Sequence, residues 1–195
     1  LAALGFTVTG VDRSAEMVEV ARQTPTAGVR YLEGDLANVQ LNERFDVVTS
    51  LFHVFSYQTT NEALTAAFAT AREHLDSGGV LVFDVWYGPA VLTDPPVVRV
   101  KRLGNEEIEV VRISEPTLHA TRNVVDVNFE VLISDRLTGS TSRLTERHEM
   151  RYLFTPEIES FAAAAGMRVL TSEEWLSGKA PGQGTWGVVF VCERL

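Results

Sequence analysis

The stretch Phe6-Thr-Val-Thr-Gly-Val-Asp12-Arg-Ser14-Ala-Glu16-Met17 predicts a short buried strand that leads directly into a helix. Thr7 to Val11 is β-prone and carries no charge, Ser14 can cap the helix, and Glu16 lies in the first turn, where the helix dipole favours a negative charge. In an open α/β sheet, ligands bind beyond the carboxyl ends of the strands, where an acidic side chain can accept both hydroxyls of a ribose. Asp12 is therefore a candidate ribose ligand, although an ordinary capped βα turn shows the same pattern.

The composition indicates a globular protein that acts on a small molecule. Its 195 residues fit one domain, or one domain with a sizeable insertion. The formal charge of -9 argues against attraction to nucleic acid or to an anionic membrane. No apolar run approaches the roughly 20 residues that span a bilayer, so we expect a cytoplasmic location. The single cysteine, Cys192, lies in an apolar run and is interpreted as a core residue, and no metal-ligand spacing is present.

The first residues resemble the end of a helix. Leu1-Ala-Ala-Leu-Gly5 reads as the last turn of an amphipathic helix, with Gly5 as a left-handed cap before the strand. Because the chain begins at Leu1 and not at a methionine, we expect further sequence to precede it.

Strand and helix patterns alternate over the first 87 residues. A helix from Ser14 to about Gln23 is ended by Thr24-Pro25-Thr26. The next predicted elements are a strand over 29–33 followed by Gly34-Asp35, a strand over 45–51, a helix over 61–75 closed by Asp76-Ser-Gly-Gly79, and a strand from Val80. This alternation predicts an α/β fold with a doubly wound parallel sheet whose faces are both covered by helices.

The alternation of strand and helix patterns ends at Gly88-Pro89. Residues 97–154 alternate with period two, which predicts an antiparallel β-sheet inserted into the α/β domain. We interpret the inserted region, residues 88–154, as a cover for the substrate or as the surface of a homodimer. Residues 155–195 then provide a helix starting at Thr155-Pro156 and two strands that we expect to form a closing antiparallel pair.

Taken in order, these pieces resemble a class I S-adenosylmethionine-dependent methyltransferase. The resemblance covers nearly the whole chain apart from the insertion. It implies a Rossmann-like sheet in residues 1–87, completed by residues 155–195, and S-adenosyl-L-methionine as cofactor. The family's first strand and its glycine-rich loop have no counterpart in this chain. The matching motifs are Gly10-Val-Asp12-Arg-Ser14-Ala-Glu-Met17, Glu33-Gly-Asp35, Phe45-Asp-Val-Val48, the stretch 75–83 and the helix and strand pair after Tyr152.

The resemblance also implies a cofactor site at the strand ends. Asp12 would hold the ribose, and Asp35 would accept a hydrogen bond from the adenine amine. The residues after Asp12 would wall the adenine, and those after Ser50 would pass near the methionine part and the methyl group. The other predicted cofactor-binding residues are Arg13, Met17, Leu36, Leu51 and Phe52.

His53 is the candidate catalytic base, because it follows a strand end beside the expected methyl position; a loop histidine bonded to backbone is the alternative. His148 is a second candidate, on the same strand face as Met150 and Tyr152. Arg151 could bind an acceptor carboxylate or phosphate, or could simply be a solvated strand residue.

Aromatic residues follow two strand ends and could shape the acceptor pocket and meet cationic charge. They are Tyr57, Trp86 and Tyr87. The segments around them most resemble bacterial small-molecule methyltransferases, among them those that methylate amino groups of nucleotide-linked sugars and the glycine/sarcosine type.

The predicted function is methyl transfer to nitrogen or oxygen of a small molecule by in-line displacement. Two alternatives remain open at this point. The first alternative is an NAD-type dehydrogenase, because an acid such as Asp12, at the position that follows the family's second strand, also suits that cofactor. The second is a methyltransferase-like subunit without catalytic activity, which would show the same fold.

Overall fold

The computed structural model of the protein describes residues 1–24 and 26–195. Its strands are β1 Val8–Asp12, β2 Val29–Glu33, β3 Phe45–Ser50, β4 Leu75–Tyr87, β5 Arg99–Gly104, β6 Ile108–His119, β7 Val124–Asp135, β8 Thr141–Leu153, β9 Met167–Glu174 and β10 Gly187–Arg194. Its α-helices are α1 Ala15–Gln23, α2 Asn61–Glu73, α3 Gly88–Thr93 and α4 Thr155–Ala164, and short 3-10 turns cover Ala2–Leu4, Val54–Tyr57 and Ala120–Arg122. None of these helices is long and apolar enough to span a membrane.

The strands form two sheets. β1 and β2 are a parallel pair, and the larger sheet has the order β5-β6-β7-β8-β4-β10-β9, with β3 parallel to β4. The predicted α/β fold, the inserted antiparallel sheet and the closing strand pair are confirmed. The parallel strands are nevertheless divided between two sheets, because no strand within the described residues pairs with both β1 and β3.

β4 organises the larger sheet because three strands pair with it. β10 runs antiparallel along Val80–Trp86 and takes one edge. β3 takes the other edge up to Phe83, and beyond its end β8 continues along that edge, pairing Trp86 with Tyr152. The inserted region therefore meets the core sheet just past the carboxyl end of β3.

Helices α2 and α4 pack on one face of the larger sheet. The core between them is built from fully buried apolar side chains, among them Phe55, Leu64, Phe68, Leu81, Phe83, Val85, Ile158 and Phe190. On the other face, Val47 of β3 is 49% exposed. The expectation that helices cover both faces is therefore not met at β3 in the described part of the chain.

Local signals account for most element boundaries. Gly5 has φ 89° after the first 3-10 turn, as its left-handed cap requires. The Met17 N–H donates to Ser14 Oγ at 3.2 Å, so Ser14 caps α1 as predicted. Helix α1 ends at Gln23, and the predicted role of Pro25 in ending it lies outside the described residues.

Several elements differ from prediction, among them helix α2, which ends at Glu73 and not at Leu75. β4 begins at Leu75 and not at Val80, because Phe45 already pairs with Leu75. A register shift follows, so that the next pair is Val47 with Val80 and the residues between Leu75 and Val80, including Gly78 and Gly79, have no partner in β3. Helix α3 was not predicted; its first residue, Gly88, lies so close to the Phe154 ring that a Cβ would meet it at 2.3 Å. The N-cap of α4 is Phe154, one residue before the predicted Thr155.

Candidate active site

The segment 51–57 follows the carboxyl end of β3 and lies against the end of β4, where the His53 N–H donates to Asp84 and the Trp86 N–H donates to Ser56 Oγ. We call this segment the crevice loop, and the ligand space expected beyond these strand ends the crevice. Two residues of the crevice loop, Phe52 and His53, have φ of 65° and 64°, the left-handed region that side chains other than glycine rarely adopt. Such conformations cost about 1 to 3 kcal/mol each and are concentrated at functional sites. The loop then enters the 3-10 turn Val54–Tyr57, which buries Phe55 in the core.

His53 is held against Asp84 of β4. The His53 backbone N–H donates to Asp84 Oδ2 at 3.1 Å. The ring atom Nδ1 lies 2.6 Å from the same oxygen, at an angle outside ordinary hydrogen-bond geometry. The Asp84 side chain is 1% exposed and that of His53 is 35% exposed, so the pair runs from the sheet interior to the crevice surface.

Aromatic rings flank this pair. The Trp86 ring lies edge-on to His53 with 6.4 Å between ring centroids, and it packs against Trp186 at 5.8 Å. Across the crevice loop, Phe52 contacts Trp175 at 5.9 Å. These rings can wall an acceptor and meet a positive charge on it.

A second polar chain links the crevice loop to the inserted region. Tyr57 Oη lies 2.8 Å from His148 Nδ1, and His148 Nε2 lies 3.2 Å from Glu146 Oε2. Burial raises the pKa of the Tyr57 hydroxyl, and the negative charge of Glu146 raises it further, while Arg13 acts in the opposite direction.

The predicted cofactor-binding carboxylates lie at the carboxyl ends of the parallel strands β1 and β2, Asp12 as the last residue of β1 and Asp35 two residues after β2. Asp12 Oδ1 accepts the Ser14 N–H at 2.8 Å, and Asp35 Oδ1 accepts the Ala37 N–H at 2.8 Å. The hydrogen bonds of the described residues use only Oδ1 in each case, so each carboxylate keeps one oxygen for a ligand.

Apolar and polar groups at the same strand ends are also available. Met17 is 56% exposed and Phe52 is 77% exposed. Ser50 Oγ, at the end of β3, is buried without a hydrogen-bond partner among the described residues. Leu51 follows it and is half-buried, whereas Leu36 packs its side chain against the core, which leaves only its backbone for a ligand.

Two of the predicted acceptor residues, Tyr87 and Arg151, have other partners in the structure. Side chains alternate along β4, so Trp86 faces His53 while Tyr87 points to the opposite face, where its hydroxyl lies 3.2 Å from Thr155 Oγ1. The predicted cluster of three aromatic residues is therefore split.

Arg151 is buried, which corrects the expectation of a solvated arginine. Its guanidinium donates to Asn61 Oδ1 at 2.8 Å and to Glu157. These contacts, both made by Nη2, tie β8 to α2 and α4.

The sequence interpretation gave no role to Asp84, Trp175 or Trp186. A signal for Asp84 was present, because it is a charged residue between Phe83 and Val85 in an apolar strand, and a buried charge needs a reason. No local signal distinguishes the tryptophans, which reach the crevice through the pairing of β9 and β10. The described residues include no cluster of three or more metal-ligating side chains.

Comparisons with known proteins agree with this geometry. A family model described as a methyltransferase domain matches residues 1–79. A dTDP-3-amino-3,4,6-trideoxy-α-D-glucopyranose N,N-dimethyltransferase of Streptomyces venezuelae is 32% identical over 178 residues, which cover 90% of this chain and 70% of that protein.

Solved structures show the same fold. An S-adenosylmethionine-dependent methyltransferase from Clostridium acetobutylicum superimposes with a TM-score of 0.81 at 21% identity, covering 95% of this chain and 74% of that one. An amino pentose methyltransferase from Micromonospora echinaspora, solved with S-adenosylmethionine bound, has a TM-score of 0.74 at 26% identity and covers 96% of this chain and 73% of that one.

The fold and the strand-end site define a nucleotide-cofactor enzyme of the Rossmann-like class. The chain belongs to the S-adenosylmethionine-dependent methyltransferases. This decides against the dehydrogenase and the non-catalytic subunit, and S-adenosylmethionine is the cofactor. The free carboxylate oxygens of Asp12 and Asp35 and the exposed side chain of Met17 fit the hydroxyls, amine and flat ring of its adenosine.

Proposed function

We propose that the protein transfers methyl groups from S-adenosylmethionine to the amino group of a sugar linked to a nucleoside diphosphate. The observation that carries this proposal is the His53–Asp84 pair, whose carboxylate is buried and whose imidazole is partly exposed beside the Trp86 ring. The acceptor class is supported by the relatives, which are N,N-dimethyltransferases of dTDP-linked amino sugars.

Within this proposal, Asp12 holds the ribose and Asp35 the adenine amine, each through its free carboxylate oxygen. Arg13, Met17, Leu51 and Phe52 are proposed to contact the rest of the cofactor, with the backbone of Leu36 beside the adenine. When bound, S-adenosylmethionine supplies a methyl carbon attached to a positively charged sulfur, and that carbon–sulfur bond breaks as the methyl group leaves.

His53 removes the proton that blocks the acceptor nitrogen. A sugar amine is largely an ammonium at neutral pH, and an ammonium has no electron pair for a new bond. An N–H bond of the acceptor breaks as an Nε2–H bond forms on His53, and the freed electron pair on nitrogen takes the methyl carbon. A positioned base contributes about 100- to 10,000-fold to such a step.

The inserted region covers the acceptor in this proposal. The contact between Tyr57 and His148 brings β8 to the mouth of the crevice, next to Trp86. A covered crevice excludes water and holds acceptor and cofactor in line, and such positioning is worth up to about 7 to 11 kcal/mol in favourable cases. We place the reaction in the cytoplasm, in keeping with the composition.

The test begins with calorimetric titration of S-adenosylhomocysteine, followed by an acceptor panel with products read by mass spectrometry. The panel holds dTDP sugars with an amino group at carbon 3 or carbon 4, together with glycine and sarcosine. We expect methylated amino sugar. We expect its rate to fall about 100- to 10,000-fold in His53→Gln.

His119→Gln is the matched control, because His119 pairs with Asp126 in the inserted region and does not line the crevice. Its rate should equal that of the unaltered protein. Methylation of glycine or sarcosine without methylation of any amino sugar would contradict the proposed acceptor class.

A further inference from the structure

We propose that Asp84 is the positioning residue of His53, holding its imidazole in the tautomer that leaves Nε2 free to accept the acceptor's proton. This inference rests on the proposed function, in which His53 is the base. It adds a residue that contacts neither the cofactor nor the acceptor and acts only through His53.

The burial of Asp84 is the first argument. Asp84 lies between the fully buried Phe83 and Val85, and its own side chain is 1% exposed. Oδ1 has no hydrogen-bond partner among the described residues. A carboxylate taken out of water costs several kcal/mol unless its partners compensate, and an apolar side chain would serve stability better at this position. The reason for a carboxylate at this position must therefore lie in the contacts of its other oxygen, Oδ2.

That other oxygen, Oδ2, contacts His53 twice. It accepts the backbone N–H at 3.1 Å and lies 2.6 Å from ring Nδ1. The first contact holds the His53 backbone at φ 64°, a conformation that needs support from its surroundings. The second brings a carboxylate oxygen to one specific ring nitrogen, and Trp86 flanks the ring edge-on.

The tautomer of His53 follows from which of the two side chains can donate a hydrogen bond and which can accept one. A carboxylate only accepts, so the favourable neutral tautomer carries its proton on Nδ1 and its electron pair on Nε2. Nδ1 is buried, and the exposure of the side chain therefore belongs to the rest of the ring, which includes Nε2. When Nε2 takes a proton, the imidazolium lies beside the negative charge of Asp84 and is stabilised by it.

The experiment compares the tautomer of His53 with turnover. Long-range proton–nitrogen NMR correlations of the imidazole ring are recorded on the protein with S-adenosylhomocysteine, and the His53 signals are identified by their loss in His53→Gln. We expect Nδ1–H in the unaltered protein and a substantial Nε2–H population in Asp84→Asn, whose amide can also donate. Finding Nε2–H in the unaltered protein would overturn the inference whether or not any variant folds.

Turnover supplies the second readout. Asp84→Asn should lower kcat roughly 100-fold with unchanged affinity for S-adenosylhomocysteine, and Asp84→Glu should recover part of the loss. In the His53→Gln background, Asp84→Asn should cost nothing more, because two residues that act as a unit are not additive. An equal loss in both backgrounds, or a lower affinity for S-adenosylhomocysteine, would show a merely structural role.

The tautomer measurement needs no acceptor. If the unaltered protein methylates no amino sugar, the proposed function fails, and the state of His53 and its dependence on Asp84 are still read from the NMR spectra.

Discussion

Tyr57 and His148 are 91 positions apart in the chain, and Tyr57 Oη lies 2.8 Å from His148 Nδ1. The contact joins the crevice loop to β8, and Phe129 supports it edge-on to the histidine ring at 5.3 Å. Strand β8 and the crevice loop therefore share one surface.

Removing this contact should weaken acceptor binding. Tyr57→Phe keeps the ring and loses one hydrogen bond, so we expect the acceptor KM to rise roughly fivefold, the equivalent of about 1 kcal/mol. Steady-state kinetics with the methylated amino sugar as product measures this. The affinity for S-adenosylhomocysteine should not change.

Tyr152→Phe is the matched control for that experiment, because its hydroxyl bonds to Ala120 O at 3.4 Å, away from the crevice. A similar rise in KM in both variants, or no rise in Tyr57→Phe, would argue against a role of the contact at the acceptor site.

Neutralising either strand-end carboxylate should weaken cofactor binding. Asp12→Asn and Asp35→Asn each replace a charged acceptor, and hydrogen bonds to charged groups are worth about 1.5 to 3 kcal/mol, which corresponds to an affinity loss of roughly 10- to 100-fold for S-adenosylhomocysteine. Calorimetry measures the dissociation constant.

Asp135→Asn serves as the control, since Asp135 Oδ1 accepts the Leu137 N–H at 2.8 Å in the same kind of turn within the inserted region. If all three variants bind S-adenosylhomocysteine alike, the carboxylates are turn residues only.

Breaking the pair between Arg151 and Glu157 should cost stability. The Arg151 side chain is 7% exposed, and Arg151→Met leaves Glu157 without its main partner. Breaking a buried pair by removing one member costs about 3 to 5 kcal/mol in the free energy of unfolding, which urea denaturation measures.

The double variant Arg151→Met with Glu157→Gln should recover much of that loss, because no unpaired charge remains. An Arg151→Met protein that kept its stability and showed a raised acceptor KM would instead restore Arg151 as an acceptor ligand.

Cys192 should be unreactive in the folded protein. Burial raises the pKa of its thiol from 9.0 to about 12. The folded state thus favours the neutral thiol; this contribution to stability is complete below pH 9 and is lost as the pH rises from 9 towards 12. Ellman's reagent at pH 8 should label Cys192 only after urea unfolds the chain, and rapid labelling of the native protein would contradict its burial.

Single stretches of sequence predicted most of the local structure. The cap at Ser14, the left-handed Gly5 and the period-two pattern of residues 97–154 are properties of neighbouring residues, and they reappear in α1, the first 3-10 turn and strands β5 to β8. Asp12, Asp35 and His53 are predicted as candidates because they lie at or shortly after strand ends, where the family resemblance implies the cofactor.

What could not be read from the sequence depends on pairing between distant segments. The separation of Tyr87 from Trp86 follows from the face that each presents in β4, and the hydrogen bond of Arg151 to Asn61 joins β8 to α2 across 90 positions of the chain. The buried position of Asp84 beside His53 requires β3, β4 and the crevice loop together.

The sequence by itself determined the alternation of strands and helices before residue 88, the change to a period-two pattern in the insertion and the strand-end position of the candidate ligands. Caps, turns and periodicity act over a few residues, so local sequence is enough to specify them. Only the tertiary structure decided which edge of β4 receives β8, which aromatic rings face His53, and that Tyr57 meets His148. Those outcomes depend on burial and hydrogen bonding between segments far apart in the chain, and no local pattern records which segments will meet.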